Sequence, residues 1–140
     1  MIIMIIGMTG SRDGISEDAF ANLIKFLNEN MSNITEGHHG DCKGADTIFH
    51  NELTKMEIKT IVHPPSVKTM RSFCEGDEIR DPKSYLERNK DIVNESDLLI
   101  AFPSTQKEVL RSGTWSTIRY ARKQFIYFIQ MDLFQSIIHK

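Results

Sequence analysis

Hydrophobic patterns typical of strands and of helices alternate along the whole chain. Residues 1–6 are uninterruptedly apolar, as expected of a parallel strand that is buried on both faces. Shorter apolar or β-branched runs predict further strands at 33–36, 58–62, 97–102 and 125–129. Between the strands, apolar residues recur at helical spacing and predict helices at 15–31, 45–56, 82–95 and from the Gly113 region to about 123.

This order of elements predicts one α/β domain over residues 1–140, Rossmann-like and three-layered, around a mostly parallel sheet of about five strands. Residues 64–82 lack a clean period, and we expect them to form a loop that is either functional or mobile. The amphipathic tail at 131–140 is expected to form a short helix or to pack against a second subunit. The expected state is a homo-oligomer.

Composition limits the classes of partner. The chain has 17 basic and 19 acidic residues, a net charge of −2, and so has no global attraction for nucleic acid or acidic membranes. No run approaches the roughly 18–20 apolar residues that span a bilayer. Two cysteines are too few for a disulfide framework and favour a reducing, cytoplasmic location. Any recognition of phosphate must then be local, and neither nucleic acid nor a membrane is an expected partner.

Clusters rich in glycine, proline, histidine and hydroxyl residues follow the first four predicted strands. They occupy residues 7–12, 37–46, 63–65 and 103–114. Because the carboxyl ends of parallel strands meet at one edge of a sheet, all four clusters should lie together, where α/β sheets bind their ligands. The sequence therefore predicts one small-molecule site at that edge.

The segment Ser112-Gly113-Thr114 leads from the last of these clusters into a helical pattern. The first backbone N–H groups of a helix have no internal partner, the dipole is positive there, and Gly113 would let an anion approach closely. An ordinary N-cap is the alternative interpretation. Because the other clusters share the same edge, we favour a phosphate-binding helix start.

Two common nucleotide motifs are absent from the sequence. The glycines at positions 7, 10 and 14 do not follow the G-x-G-x-x-G order, and no G-K-[ST] sequence occurs. A standard dinucleotide site and a nucleoside triphosphatase are therefore disfavoured, and no cofactor is predicted. A monophosphate, or a nucleotide held in another way, remains.

Several short segments form a combination typical of one superfamily: Gly10-Ser11-Arg12, His39-Gly40-Asp41, Gly44-Ala45-Asp46, Arg88-Asn89, Asp97 to Pro103, Arg111-Ser112-Gly113-Thr114-Trp115 and Arg119-Tyr120-Ala121. Together they resemble the SLOG superfamily, which joins the lonely-guy phosphoribohydrolases, the DNA-processing protein DprA and small single-domain members of unassigned activity. The chain looks most similar to the small members. The resemblance implies a Rossmann-like fold that holds a nucleotide or a nucleotide-derived ligand at the glycine turns.

One departure from the hydrolase pattern bears on catalysis. The lonely-guy enzymes carry glutamates after their Gly-Thr pair, whereas Ser116 and Thr117 stand here. Hydrolysis of an N-glycosidic bond would need another acid or base, for which Asp41, Asp46 and Glu87 are candidates, with Arg88 as the counterpart of the family's helix arginine. Binding without catalysis, a phosphoribohydrolase and, as a lesser alternative, a single-stranded DNA module therefore stay open.

Each predicted site residue also has a plainer interpretation, such as a solvated turn charge for Arg12 or a helix-start carboxylate for Asp46. His38, His39 and His63 lack a convincing third ligand in sequence, so no metal is predicted. Trp115 is expected to pack in the core or against a second subunit, and Cys42 is expected to be a structural thiol. The predicted ligand-binding residues are Gly10, Ser11, Arg12, Gly40, Asp41, Gly44, Asp46, Arg88, Asn89, Pro103, Ser112, Gly113 and Thr114.

Overall fold

The computed structural model describes residues 3–133. Within that range six strands form one sheet: β1 (Met4–Gly10), β2 (Ile34–His39), β3 (Lys59–Val62), β4 (Glu78–Ile79), β5 (Leu98–Phe102) and β6 (Tyr127–Gln130). Four α-helices connect them: α1 (Glu17–Asn30), α2 (Ala45–Lys55), α3 (Tyr85–Glu95) and α4 (Gly113–Lys123). Short 3-10 helices occupy Lys68–Met70 and Met131–Leu133.

The strands lie in the order β4-β3-β2-β1-β5-β6, and every neighbouring pair is parallel. Helices α1 and α2 bury Phe26 and Phe49 against one face of the sheet. Helices α3 and α4 bury Val93 and Ile118 against the other. The predicted Rossmann-like, three-layer α/β fold is therefore confirmed, and its strand order reverses between β1 and β5, where such sheets bind ligands.

β1 extends through much of the segment predicted as a glycine turn. Gly7, Met8, Thr9 and Gly10 pair in register with β5, so the turn begins only at Ser11. The reason is packing: a Cβ on Gly7 would lie 2.2 Å from the Ser96 hydroxyl, which means that this glycine admits α3 close to the sheet.

β2 is also longer than the predicted strand at 33–36, because it continues through His38 and His39. Both side chains are almost wholly buried. Histidine is tolerated there because each ring hydrogen-bonds to another histidine, His38 to His63 and His39 to His50.

The segment 64–82, predicted as a loop, contains strand β4 at one edge of the sheet. Asp41 holds the preceding part of this segment: its carboxylate accepts from Arg71 Nε at 2.9 Å and from the backbone N–H of Cys74 at 2.8 Å. Helix α3 then begins at Tyr85 instead of Pro82, since the Ser84 hydroxyl caps it by accepting the N–H of Glu87.

No helix among residues 3–133 is long and apolar enough to cross a membrane. The predicted amphipathic tail falls on residues 134–140 for most of its length, and those lie outside the described range.

Candidate functional site

A cavity of about 360 Å³ opens at the carboxyl edge of the sheet. Its walls come from the end of β1, the turn after β2, the first turn of α2, the inner face of α3 and the start of α4. Segments far apart in sequence thus meet at the place where the strand order reverses. The structure therefore provides one concave site where the sequence predicted one.

The start of α4 combines both interpretations of its sequence. The Ser112 hydroxyl accepts the N–H of Trp115 at 3.2 Å, which is an ordinary N-cap. The first two backbone N–H groups of α4, those of Gly113 and Thr114, have no acceptor within residues 3–133. Both residues line the cavity, so the helix presents uncapped donors and the positive end of its dipole there.

Gly113 differs from the other glycines of the cavity wall. A Cβ added to Gly113 would meet nothing within 4 Å, whereas one on Gly40 would lie 2.5 Å from Arg88 Nη1 and one on Gly10 would lie 2.6 Å from Ala45 Cβ. Gly10 and Gly40 are thus required by the protein's own packing. The space beside Gly113 is open to a ligand.

Arg88 is a buried cation without a carboxylate partner in the described part of the chain. Its Nη1 donates to the carbonyl oxygen of Gly40 and, at 3.2 Å, to that of His63, while Nε donates to Asn89 Oδ1 at 2.8 Å. Both terminal nitrogens lie within 4 Å of Cys42 Sγ. Carbonyl oxygens and the Asn89 side chain hold the guanidinium beside the cavity, and none of its hydrogen bonds within the described residues goes to a carboxylate.

Asp46, at the start of α2, is the buried carboxylate of the site. Its Oδ2 accepts the backbone N–H of Cys42 at 3.0 Å. Burial raises the pKa of Asp46 from 3.8 to about 6, an effect that the nearby Arg88 charge partly offsets. Asp46 therefore changes protonation state close to neutral pH, as a general acid or base should.

Arg12 and Tyr85 form the outer part of the cavity wall. The Arg12 guanidinium lies 5.0 Å from the centre of the Tyr85 ring, and the Arg88 guanidinium lies 5.3 Å from it. The Tyr85 hydroxyl is buried and has no hydrogen-bond partner among the described residues. A buried hydroxyl in that condition needs a partner from outside the protein, either water or a ligand.

Ten of the predicted site residues line the cavity: Gly10, Ser11, Arg12, Gly40, Asp46, Arg88, Asn89, Ser112, Gly113 and Thr114. Three others lie outside its wall. Asp41 is fully buried and bound to the 71–74 segment, Gly44 sits at a φ of +93° where α2 packs on the carbonyl of Arg12, and Pro103 follows the last residue of β5.

The sequence did not single out Tyr85 as a site residue, and it favoured a structural role for Cys42. Both line the cavity. Tyr85 follows the apolar spacing predicted for α3. This spacing identifies residues on the inward face of a helix, but it does not show which of them pack in the core and which line a cavity. Burial and the neighbouring Asp46 raise the pKa of Cys42, so its thiol stays protonated at neutral pH.

Comparisons with known proteins place the fold but give no family. No family model matches the sequence, and no curated protein matches it. Solved structures do resemble it. A molybdenum cofactor binding protein from the phototrophic bacterium Rippkaea orientalis superposes with a TM-score of 0.71 at 22% identity, over 93% of this chain and 77% of that one.

Two DNA processing proteins, both DprA, show the same likeness. The protein from Streptococcus pneumoniae gives a TM-score of 0.67 at 19% identity, over 90% of this chain and 49% of that one. The protein from Helicobacter pylori, described with its single-stranded DNA binding mode, gives a TM-score of 0.62 at 19% identity, over 91% of this chain and 64% of that one. The likeness is one of fold. This chain spans about half to two thirds of the DprA chains.

Proposed function

We propose that the cavity binds a nucleotide or a nucleotide-derived ligand through its phosphate, and that the chain is a SLOG-type binding domain. The observation that carries the proposal is the start of α4, where uncapped N–H groups border open space at Gly113. Arg12 and Arg88 add positive charge to the same wall. Proteins of similar fold are described as binding a molybdenum cofactor or single-stranded DNA, which supports a ligand-binding role for this fold.

Isothermal titration with AMP, CMP, ADP-ribose, inorganic phosphate and adenosine tests this proposal. We expect the phosphate-bearing compounds to bind and adenosine to bind at least about tenfold more weakly, which corresponds to about 1.4 kcal/mol. Gly113→Asp should weaken AMP binding by a similar factor, because a carboxylate would face the phosphate. The same substitution favours the helix dipole and should leave the fold intact.

Arg122→Gln is the matched control, since Arg122 lies at the far end of α4 and is bonded to Glu108. It should bind AMP as the unmodified protein does. Equal binding of AMP and adenosine, or full AMP affinity in Gly113→Asp, would contradict the proposal.

A second candidate function is hydrolysis of the N-glycosidic bond of a nucleoside monophosphate. Asp46 favours it, because a buried carboxylate with a pKa of about 6 can serve as the acid or base that α4 lacks. In that reaction water supplies a hydroxyl group to the ribose carbon and a proton to the departing base. The required acid–base group would then come from α2.

Incubation with AMP or CMP, followed by chromatography for free base, tests this candidate. Asp46→Asn should lower the rate of base release by about 10²–10⁴-fold, the usual contribution of such a group. Absence of free base would exclude hydrolysis and leave nucleotide binding as the function. Base release at an unchanged rate in Asp46→Asn would exclude Asp46 as the acid or base.

A groove between α3 and α4 favours the third candidate, single-stranded DNA binding. The groove has a volume of about 560 Å³ and is lined by three basic residues, Lys90, Arg119 and Lys123. The Lys90 ammonium group lies over the ring of Tyr120. Under this candidate a labelled oligonucleotide binds with an affinity that falls steeply with salt and falls again in Lys123→Gln. Salt-independent or undetectable binding excludes it.

A further inference from the structure

A cluster of two histidines and a glutamate, His38, His63 and Glu95, lies outside the wall of the cavity. Arg88 lines both the cavity and the cleft that contains His63 and Glu95. One ring nitrogen of each histidine and a carboxylate oxygen of Glu95 lie within 4.8 Å of one another. They come from β2, from the residue that follows β3, and from the last turn of α3. We propose that these three side chains bind a divalent transition metal ion such as Zn²⁺.

Hydrogen bonds to the His38 ring fix which nitrogen is available. Its Nε2 lies 2.6 Å from Glu36 Oε2, and because a carboxylate only accepts, Nε2 carries a proton and donates it. In the neutral ring this leaves a lone pair on Nδ1, which accepts from His63 Nε2 at 2.8 Å. The ion replaces this hydrogen bond when the neutral His63 ring carries its proton on Nδ1 instead of Nε2. A carboxylate that orients a histidine in this way is the usual outer support of a metal-binding imidazole.

The side chains must move to admit the ion. Zinc–nitrogen bonds of about 2.0–2.1 Å at a tetrahedral angle place two ligand nitrogens roughly 3.3 Å apart. His38 Nδ1 and His63 Nε2 must therefore separate by about half an ångström. His63 and Glu95 also line a cleft of about 230 Å³, from which water can supply a fourth ligand.

Charges around the cluster are mixed. Arg80 binds Glu95 at 2.7 Å and Glu78 at 3.0 Å, so it keeps one carboxylate when Glu95 turns to the metal. The cleft also contains Lys83, which is paired with Asp91 at 2.7 Å. Arg88, whose Nη1 donates to the His63 carbonyl oxygen, adds a further positive charge, while Glu36 and Glu95 supply two carboxylates.

The other cluster with suitable ligand types, His39, His50 and Cys74, does not fit a metal. The backbone N–H of Asp41 donates to His39 Nδ1 at 3.0 Å, so the proton of the neutral ring lies on Nε2, which faces His50 Nδ1 at 2.9 Å. A metal on Nε2 would have to remove that proton and leave an imidazolate. This cluster is a satisfied hydrogen-bonded chain.

The test uses the full chain, stripped with a chelator and titrated with Co²⁺, whose visible absorption reports tetrahedral ligation, followed by competition with Zn²⁺. We expect one ion per chain. Glu95→Gln should abolish the Co²⁺ spectrum, and Glu36→Gln should weaken Zn²⁺ affinity by about 10–100-fold through loss of the support to His38. Both residues are partly exposed, and circular dichroism checks that the variants fold.

Two variants serve as controls. Glu78→Gln removes the other carboxylate bound to Arg80, and Cys74→Ser changes the competing cluster. Both should bind Co²⁺ as the unmodified chain does. The proposal is overturned if no stoichiometric Co²⁺ or Zn²⁺ binding occurs, if Glu95→Gln binds normally, or if Cys74→Ser loses binding.

Discussion

At the scale of single residues, the site is built from groups whose polar partners are incomplete. Arg88 has carbonyl oxygens but no carboxylate within the described residues, Tyr85 has a buried hydroxyl without a partner, and the first N–H groups of α4 face open space. Elsewhere in the same region the glycines are explained by close packing. What distinguishes the candidate site is therefore the room and the donors that it leaves for another molecule.

Paired glycine substitutions separate these two roles. Gly113→Ala adds a methyl group to open space in the first turn of a helix, so the free energy of unfolding should stay equal or rise by up to about 1 kcal/mol. Gly10→Ala places its Cβ 2.6 Å from Ala45 Cβ and should destabilise the protein by about 1–3 kcal/mol. Urea denaturation measures both. An equal loss of stability in the two variants would contradict the packing argument.

The raised pKa of Asp46 predicts a pH-dependent effect of Asp46→Asn. Between about pH 4 and pH 6 the folded chain keeps a proton that the unfolded chain has released, so the Asp46 contribution to stability falls as pH rises through that window. Asparagine does not titrate and can still accept the N–H of Cys42. Relative to the unmodified protein, the variant should gain about 2–3 kcal/mol from pH 4 to pH 7.

Urea denaturation across that pH range checks this prediction. Asp13→Asn is the control, because Asp13 is exposed at the turn after β1 and should give a curve parallel to that of the unmodified protein. If the pH dependence of the unfolding free energy in Asp46→Asn also ran parallel to that of the unmodified protein, the pKa of Asp46 would not be raised by the fold.

At the scale of elements, hydrophobic periodicity predicted the four helices and five of the six strands, but not their ends. Gly7 and Gly37 are glycines that suggested turns, and both lie within strands because neighbouring side chains approach the backbone there. Strand β4 was missed because Glu78–Ile79 is short, exposed and without apolar alternation. Asp41 was predicted as a ligand-binding residue because it follows β2 at the carboxyl edge of the sheet. Its contacts with residues 71–74 are long-range, and no local sequence pattern shows them.

The Asp41 contacts predict how the 64–82 segment is held. Arg71→Met leaves the buried Asp41 carboxylate with one partner fewer and should destabilise the fold by about 3 kcal/mol, with faster amide exchange in the segment. Arg122→Met, which breaks an exposed ion pair, should leave the stability nearly unchanged. Hydrogen exchange and urea denaturation compare them. Similar losses in both variants would show that Asp41 does not anchor the segment.

At the scale of the whole molecule, the sequence was sufficient to predict the architecture and the edge that carries the site. Alternating strands and helices leave few topologies for a chain of 140 residues, and the carboxyl ends of parallel strands converge whatever their register. Which side chains point into the cavity depends on packing between α3 and α4, which periodicity does not specify. The His38–His63–Glu95 cluster is unpredictable for the same reason, since its third ligand lies 32 residues beyond the second.

The two core layers share one sheet, so the domain should unfold as a unit. Trp115 is the single tryptophan and lies in the α4 layer, whereas far-UV circular dichroism reports all the helices. Urea transitions followed by the two signals should coincide. Separate midpoints would divide the chain into two cooperative units and contradict a single-domain account.

A crystal structure of the protein with AMP or ADP-ribose tests the central claim most directly. We expect a phosphate group within hydrogen-bond distance of the backbone N–H groups of Gly113 and Thr114, in the cavity that Arg12 and Arg88 also line. A nucleotide bound elsewhere, or one that enters this cavity with its phosphate away from the start of α4, would contradict it.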